Sequence, residues 1–184
     1  MNNISKRRIV LGILLLSAAQ GVVAAGGGVK EVSNNLHFDG QLVADPCELD
    51  PTSTAITLDF GTVIDTYLYL HTRTHAQPFV IKLKECDLTL GNQVEVTFKG
   101  TESTELPGLL AVASPTDSGL AIGMSLPDGT PLPFNKTIPA FSLHSGNSEL
   151  ELNGYVMGEP GALANRTLRR GVFSALATFE LNYP

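Results

Sequence analysis

The chain has 184 residues, of which 43% are hydrophobic and 16% charged, with 18 glycines, 11 prolines, two cysteines and no tryptophan. That length suits one domain or two small ones, is ample for burying one core, and the composition is too apolar for a disordered chain. The net charge is −6, and since the first 25 residues contribute three basic side chains (Lys6, Arg7, Arg8) and no acidic one, the remainder is more acidic still and unsuited to gripping nucleic acid through its phosphates.

Lys6-Arg7-Arg8, the apolar residues 9–16 and the small-residue sequence Val23-Ala24-Ala25 have the order of a secretory signal peptide, expected over residues 1–25. The apolar run falls short of the roughly 18–20 residues a membrane-crossing helix needs. No later stretch is long enough either, so the mature chain is expected to be exported and not an integral membrane protein. Gly26-Gly27-Gly28 follows as a flexible leader. Next, Leu36, Phe38, Gly40 and Leu42 alternate with Asn35, His37, Asp39 and Gln41, continuing to Ala44, which predicts a strand on a tether.

Export gives the two cysteines their meaning. An oxidising compartment favours a Cys47–Cys86 bridge. Such a bridge closes a loop of about 40 residues and stabilises the fold by roughly 4 kcal/mol in the chain-entropy model. Two cysteines alone cannot complete a four-ligand zinc site, and their spacing is far from a Cys-x-x-Cys redox pair.

Short strands are expected from period-2 alternation between turn residues. Residues 55–60 form one short run; Phe79, Ile81 and Leu83 alternate with Val80, Lys82 and Lys84; Val94, Val96 and Phe98 alternate with Glu95, Thr97 and Lys99. Leu120, Ile122, Met124 and Leu126 share a face, and Pro127-Asp128-Gly129 then predicts a turn, since Pro sets φ and Gly accepts φ > 0. Further runs lie around Phe141 and Leu143 and over residues 149–157, the last interrupted by Gly154. No window of a dozen residues carries a capped 3.6-residue period; Ala162-Leu163-Ala164 makes at most one helical turn in a loop. At the C-terminus the odd positions Gly171, Phe173, Ala175, Ala177, Phe179, Leu181 and Tyr183 are all apolar or aromatic after the glycine. The even positions mix Ser174, Thr178, Glu180 and Asn182 with Val172 and Leu176, predicting one long strand with a wholly apolar face. Many short strands, scattered prolines and one bridge point to an all-β sandwich.

These features, taken in order, resemble the pilin subunits of chaperone–usher fimbriae of the type 1 and P kind. The resemblance rests on Leu36-His37-Phe38-Asp39-Gly40 before Cys47, on Phe79-Val80-Ile81-Lys82-Leu83 before Cys86, on residues 94–100, and on the C-terminal strand with penultimate Tyr183 and Gly171. It spans nearly all of residues 35–184, with 101–119 and 158–170 less distinctive. It implies an incomplete immunoglobulin-like sandwich lacking its last strand, with an N-terminal donor-strand extension over residues 26–45 and a pilin domain over 46–184. The implied partners are a periplasmic chaperone, an outer-membrane usher and neighbouring pilin subunits, and the implied location is a fimbria on the bacterial surface, supporting adhesion. In such subunits Gly171, Phe173, Ala175, Ala177, Phe179, Leu181 and Tyr183 line the groove that meets the chaperone, while Leu36, Phe38, Leu42 and Ala44 fill the neighbour's groove. Gly40 then sits where the groove is shallow. Asn34, polar where the alternation would continue outward, places the start of the plug at Leu36.

Other readings compete with this one. A tip adhesin needs a receptor domain ahead of the pilin domain, a base terminator differs in groove depth, and a secreted carbohydrate-binding or hydrolytic β-sandwich is the rival from another class. His71 and His75 have zinc-compatible i, i+4 spacing on a helix, but Thr72-Arg73-Thr74 reads as a loop and no third ligand is evident, so a solvated pair is expected. Arg166, Arg169 and Arg170 read as a solvated basic loop, with an usher or neighbour contact as the alternative. The sequons at Asn135 and Asn165 matter only in a eukaryotic secretory pathway. Asp59, Glu95 and Glu102 are scattered, and no nucleophile elbow, metalloprotease or phosphate-loop motif occurs, so neither an enzyme nor a cofactor is expected.

Overall fold

The computed structural model describes residues 36–114 and 117–184. The signal-peptide reading of 1–25 and the glycine leader lie outside the described residues. The chain divides into two units, 1–41 and 42–184. Of the first, residues 36–41 are described and form neither helix nor strand. Among the described residues all the regular elements belong to the second, and none of their helices is long and apolar enough to cross a membrane.

Two antiparallel sheets face each other across one core. The first runs β1 (Glu48–Leu49), β2 (Gln77–Cys86), β8 (Gly146–Gly158), β5 (Leu120–Ser125) and β4 (Leu110–Ala111), with β6 (Pro131–Leu132) also on β5. The second holds β7 (Phe141–Ser142), β3 (Gln93–Lys99) and β9 (Thr178–Asn182) in that order. Alternation does what it is expected to do: Ile81 and Leu83 of β2, Leu150 and Leu152 of β8, and Val94, Val96 and Phe98 of β3 all point into the shared core. Lys82 and Lys84 point outward and meet Glu149 and Glu48 across the register. Beyond β5 the turn forms as predicted, with Gly129 at φ +90° and the Asp128 carboxylate accepting from the Thr130 N–H.

Cys47 and Cys86 form a disulfide at the end of the β1–β2 pair. A register shift between Leu83 and Cys86, with Glu85 at φ +52°, bulges the strand just before the bridge. Thiol labelling of the unreduced protein should therefore find no free cysteine, and the Cys47→Ser/Cys86→Ser double variant should lose about 4 kcal/mol of stability to denaturant. Two labelled thiols in a folded sample would overturn the pairing.

Four expectations are corrected. Residues 55–60 form no strand; Leu58 and Phe60 pack against β8 at Gly154 through their side chains instead. Gly154 does not interrupt β8, which is continuous; a Cβ there would lie 2.4 Å from Leu58 Cδ2, so the glycine admits the passing chain. The C-terminal strand is regular only over Thr178–Asn182, residues 171–177 showing one bridge among the described residues, between Ala113 and Ser174. A helix appears where none was expected, α1 (Asp65–His71), ended by Thr72 at φ +66°. The single helical turn foreseen at 162–164 is α2 (Pro160–Ala164).

Candidate functional site: an unpaired edge over an open core

The C-terminal segment is bonded on one side only. The carbonyls of Val96 and Phe98 accept from the N–H groups of Ile138 and Asn135, so the peptide groups of those two residues face away from β9. The intervening Glu95, Thr97 and Lys99 therefore face it and register with Asn182, Glu180 and Thr178. Ser174 continues this bonded side, exchanging both backbone bonds with Ala113. By the same alternation Phe179, Leu181 and Tyr183 turn their N–H and C=O groups to the opposite side, where the described residues supply no backbone partner.

The side chains of that unbonded set face inward. Ala175, Phe179, Leu181 and Tyr183 are half-buried against the main core, and Phe173 against a smaller cluster built on Leu68, Leu120 and Val156. Phe179 lies opposite Phe98 with ring centroids 6.3 Å apart. The Tyr183 hydroxyl approaches the Cys47 carbonyl at 3.5 Å, and burial raises its pKa. Gly171 and Ala177 of the expected face are exposed, as are Val172 and Leu176 on the other.

A second unpaired edge borders the same interior, one that alternation alone did not distinguish from a sheet strand. From residue 55 to 63 the described chain makes no backbone–backbone hydrogen bond, while Phe60 and Val63 pack half-buried on the smaller cluster. The two edges come together at a cavity of about 300 Å3 lined by Val63, Ile64, Leu68, Leu120, Leu168 and Phe173. At its rim Arg170 donates from Nε and Nη2 to Oδ2 of Asp65, at 2.9 and 2.8 Å. This bond holds the Asp65 carboxyl below its usual range. The arrangement suits a missing strand: open backbone groups, apolar side chains beneath them and a hole at one end. Half-buried apolar edges of this kind invite strand addition.

The segment predicted as a donor behaves differently. Leu36, Phe38, Gly40, Leu42 and Ala44 are exposed, and residues 36–45 form no strand among the described residues. An extended segment without a partner ladder has nothing to hold it as a strand. The remaining sequence candidates are accounted for locally. His71 stacks on Tyr67 and His75 bonds the Tyr67 hydroxyl at 2.8 Å. No cluster of three or more His, Cys, Asp or Glu side chains suited to a metal occurs among the described residues. Within the basic loop, Arg170 pairs with Asp65 and Arg166 lies over the Tyr69 ring, so these two are engaged with α1.

Comparison with known proteins agrees with this architecture. The family model for fimbrial proteins matches residues 36–184. The fimbrial adapter PapK of Escherichia coli is 33% identical over 182 residues, covering 94% of this chain and 97% of PapK. The Fimbria A protein of Serratia marcescens is 28% identical over 176 residues, covering 96% of this chain and 97% of that protein. Among solved structures, the P pilus rod subunit PapA superposes with a TM-score of 0.67 at 23% identity, covering 76% of this chain and all of that one, which makes the immunoglobulin-like pilin sandwich the shared fold. The chain therefore belongs to the fimbrial protein family, in its chaperone–usher class.

Proposed function

We propose that this protein is a structural subunit of a surface fimbria assembled by donor-strand exchange, supporting adhesion of the bacterial cell. The observation that carries this reading is the C-terminal edge: Phe179, Leu181 and Tyr183 have side chains over the core and backbone groups turned to a side with no ladder among the described residues. Leaving such an edge open costs both apolar exposure and unsatisfied peptide groups, so a strand from elsewhere must cover it. In the periplasm a chaperone lends that strand; at the outer-membrane usher the N-terminal extension of the next subunit replaces it. This chain's own extension, residues 26–45, then serves the preceding subunit, with Leu36, Phe38, Leu42 and Ala44 as plugs.

Deleting residues 26–45 tests the reading. The shortened subunit should still accumulate with the chaperone, because its own core lies in 46–184. It should vanish from fibres sheared off the surface, measured by mass spectrometry against the neighbouring subunits. Normal incorporation of the deleted form would overturn the proposal.

A further inference from the structure

The two open edges are tied together at one end by residues that neither edge needs for its own conformation. Asp65 opens α1 directly after the 55–63 edge, and Arg170 directly precedes the 171–183 edge, 105 positions away in sequence. The Arg170 Nε and Nη2 both reach Asp65 Oδ2, while Oδ1 accepts from the Thr66 N–H, so the carboxylate is oriented from two sides. The Asp65 side chain is only 24% exposed, whereas Arg170 is 86% exposed and lies across the outside. Two further contacts join the same pieces: the Leu168 N–H donates to the Tyr69 hydroxyl at 3.2 Å, and the Arg166 guanidinium sits 5.6 Å above the Tyr69 ring. Behind this seam lies the cavity, with apolar walls and with Asp65, Arg169 and Arg170 at its rim.

We infer that the Asp65–Arg170 pair is a positioning device that ties the two edges at a fixed spacing at the cavity end and so sets the rate at which a donor strand enters. This rests on the donor-strand reading. Water penalises the half-buried apolar side chains on both edges, so the edges must be kept in register with one another until a strand covers them. An ion pair spanning them restrains that spacing through direction, since two guanidinium N–H groups converge on one carboxylate oxygen whose partner oxygen is held by the Thr66 N–H. Exposed ion pairs add little to stability. The role should therefore register in kinetics rather than in melting.

The test uses the full-length subunit bound to its chaperone and, as donor probe, a synthetic peptide of the N-terminal extension of the subunit that follows it in the fibre. Asp65→Asn and Arg170→Gln should each slow peptide uptake by about tenfold, the low end of the range over which association rates vary among variants of one interface. The double variant should be no slower than either single one, because both remove the same link. Lys82→Gln, which breaks an ion pair to Glu149 on the outer face of the first sheet, should leave the rate unchanged. Protease resistance of the chaperone-bound variants should equal that of wild type. Uptake at the wild-type rate by both single variants, or additive slowing in the double, overturns the positioning role while the donor-strand reading stands. No uptake by wild type overturns the reading and this inference together.

Discussion

Replacing Phe179 with aspartate should eliminate the subunit from the periplasm, whereas the same change at Leu176, three residues earlier, should leave its yield near normal. Phe179 stands opposite Phe98 in the β3–β9 ladder and packs against the main core. Leu176 is 88% exposed. Full burial of a phenylalanine is worth about 1.5–3 kcal/mol, and the covering strand completes a burial that is half made in the open subunit. A carboxylate in its place forfeits that gain and adds a desolvation cost of several kcal/mol, as a buried ion without a partner does. Against a total stability of about 5–15 kcal/mol for an ordinary domain, a loss of that size is disabling in one whose sandwich is incomplete. The measurement is the amount of chaperone-bound subunit in periplasmic extracts. Equal yields for the two variants would mean that the inward set of the C-terminal segment does not line the groove.

That contrast between neighbouring positions was legible in the sequence, because strand alternation is local. Phe79, Ile81 and Leu83, and likewise Val94, Val96 and Phe98, announce both a strand and its inner face, and the structure places them there. What alternation cannot report is whether a ladder partner exists. Residues 55–60 look like any sheet strand, yet they lie beside β8 without bonding to it, and Gly154 is there to admit Leu58 rather than to break the strand. Residues 171–177 share the pattern of 178–182 but among the described residues form one backbone bridge, to Ala113. Helix α1 escaped notice because two turns with one fully buried side chain, Leu68, leave no periodic stripe to detect. The seam between Asp65 and Arg170 was beyond any local signal, since its halves are brought together only by the fold.

Substituting leucine for Gly40 should separate a donor strand from an ordinary surface segment. Nothing in the chain's own described structure asks for glycine here: its φ is not in the positive region, and a Cβ added at Gly40 meets no atom within 4 Å. Gly154 is the counter-example, where an added Cβ would collide with Leu58. Any intolerance at Gly40 must therefore arise in a neighbour. If residues 36–44 enter a groove that is shallow at this point, a leucine there overpacks the site at a cost of about 1–3 kcal/mol. That cost corresponds to a loss of roughly five- to 150-fold in an equilibrium or rate governed by docking. The penalty should spread, because lifting one residue off the groove floor disturbs the ladder on both sides of it and with it the register of Phe38 and Leu42. The measurement is exchange of wild-type and Gly40→Leu peptides, covering residues 26–45, into a chaperone-bound preceding subunit, with Gly40→Ala expected to fall between them. Thermal stability of the full-length subunit carrying Gly40→Leu should be unchanged while its chaperone remains bound. A Gly40→Leu peptide that exchanges as fast and as completely as wild type would show that residues 36–44 do not insert into a neighbour's core.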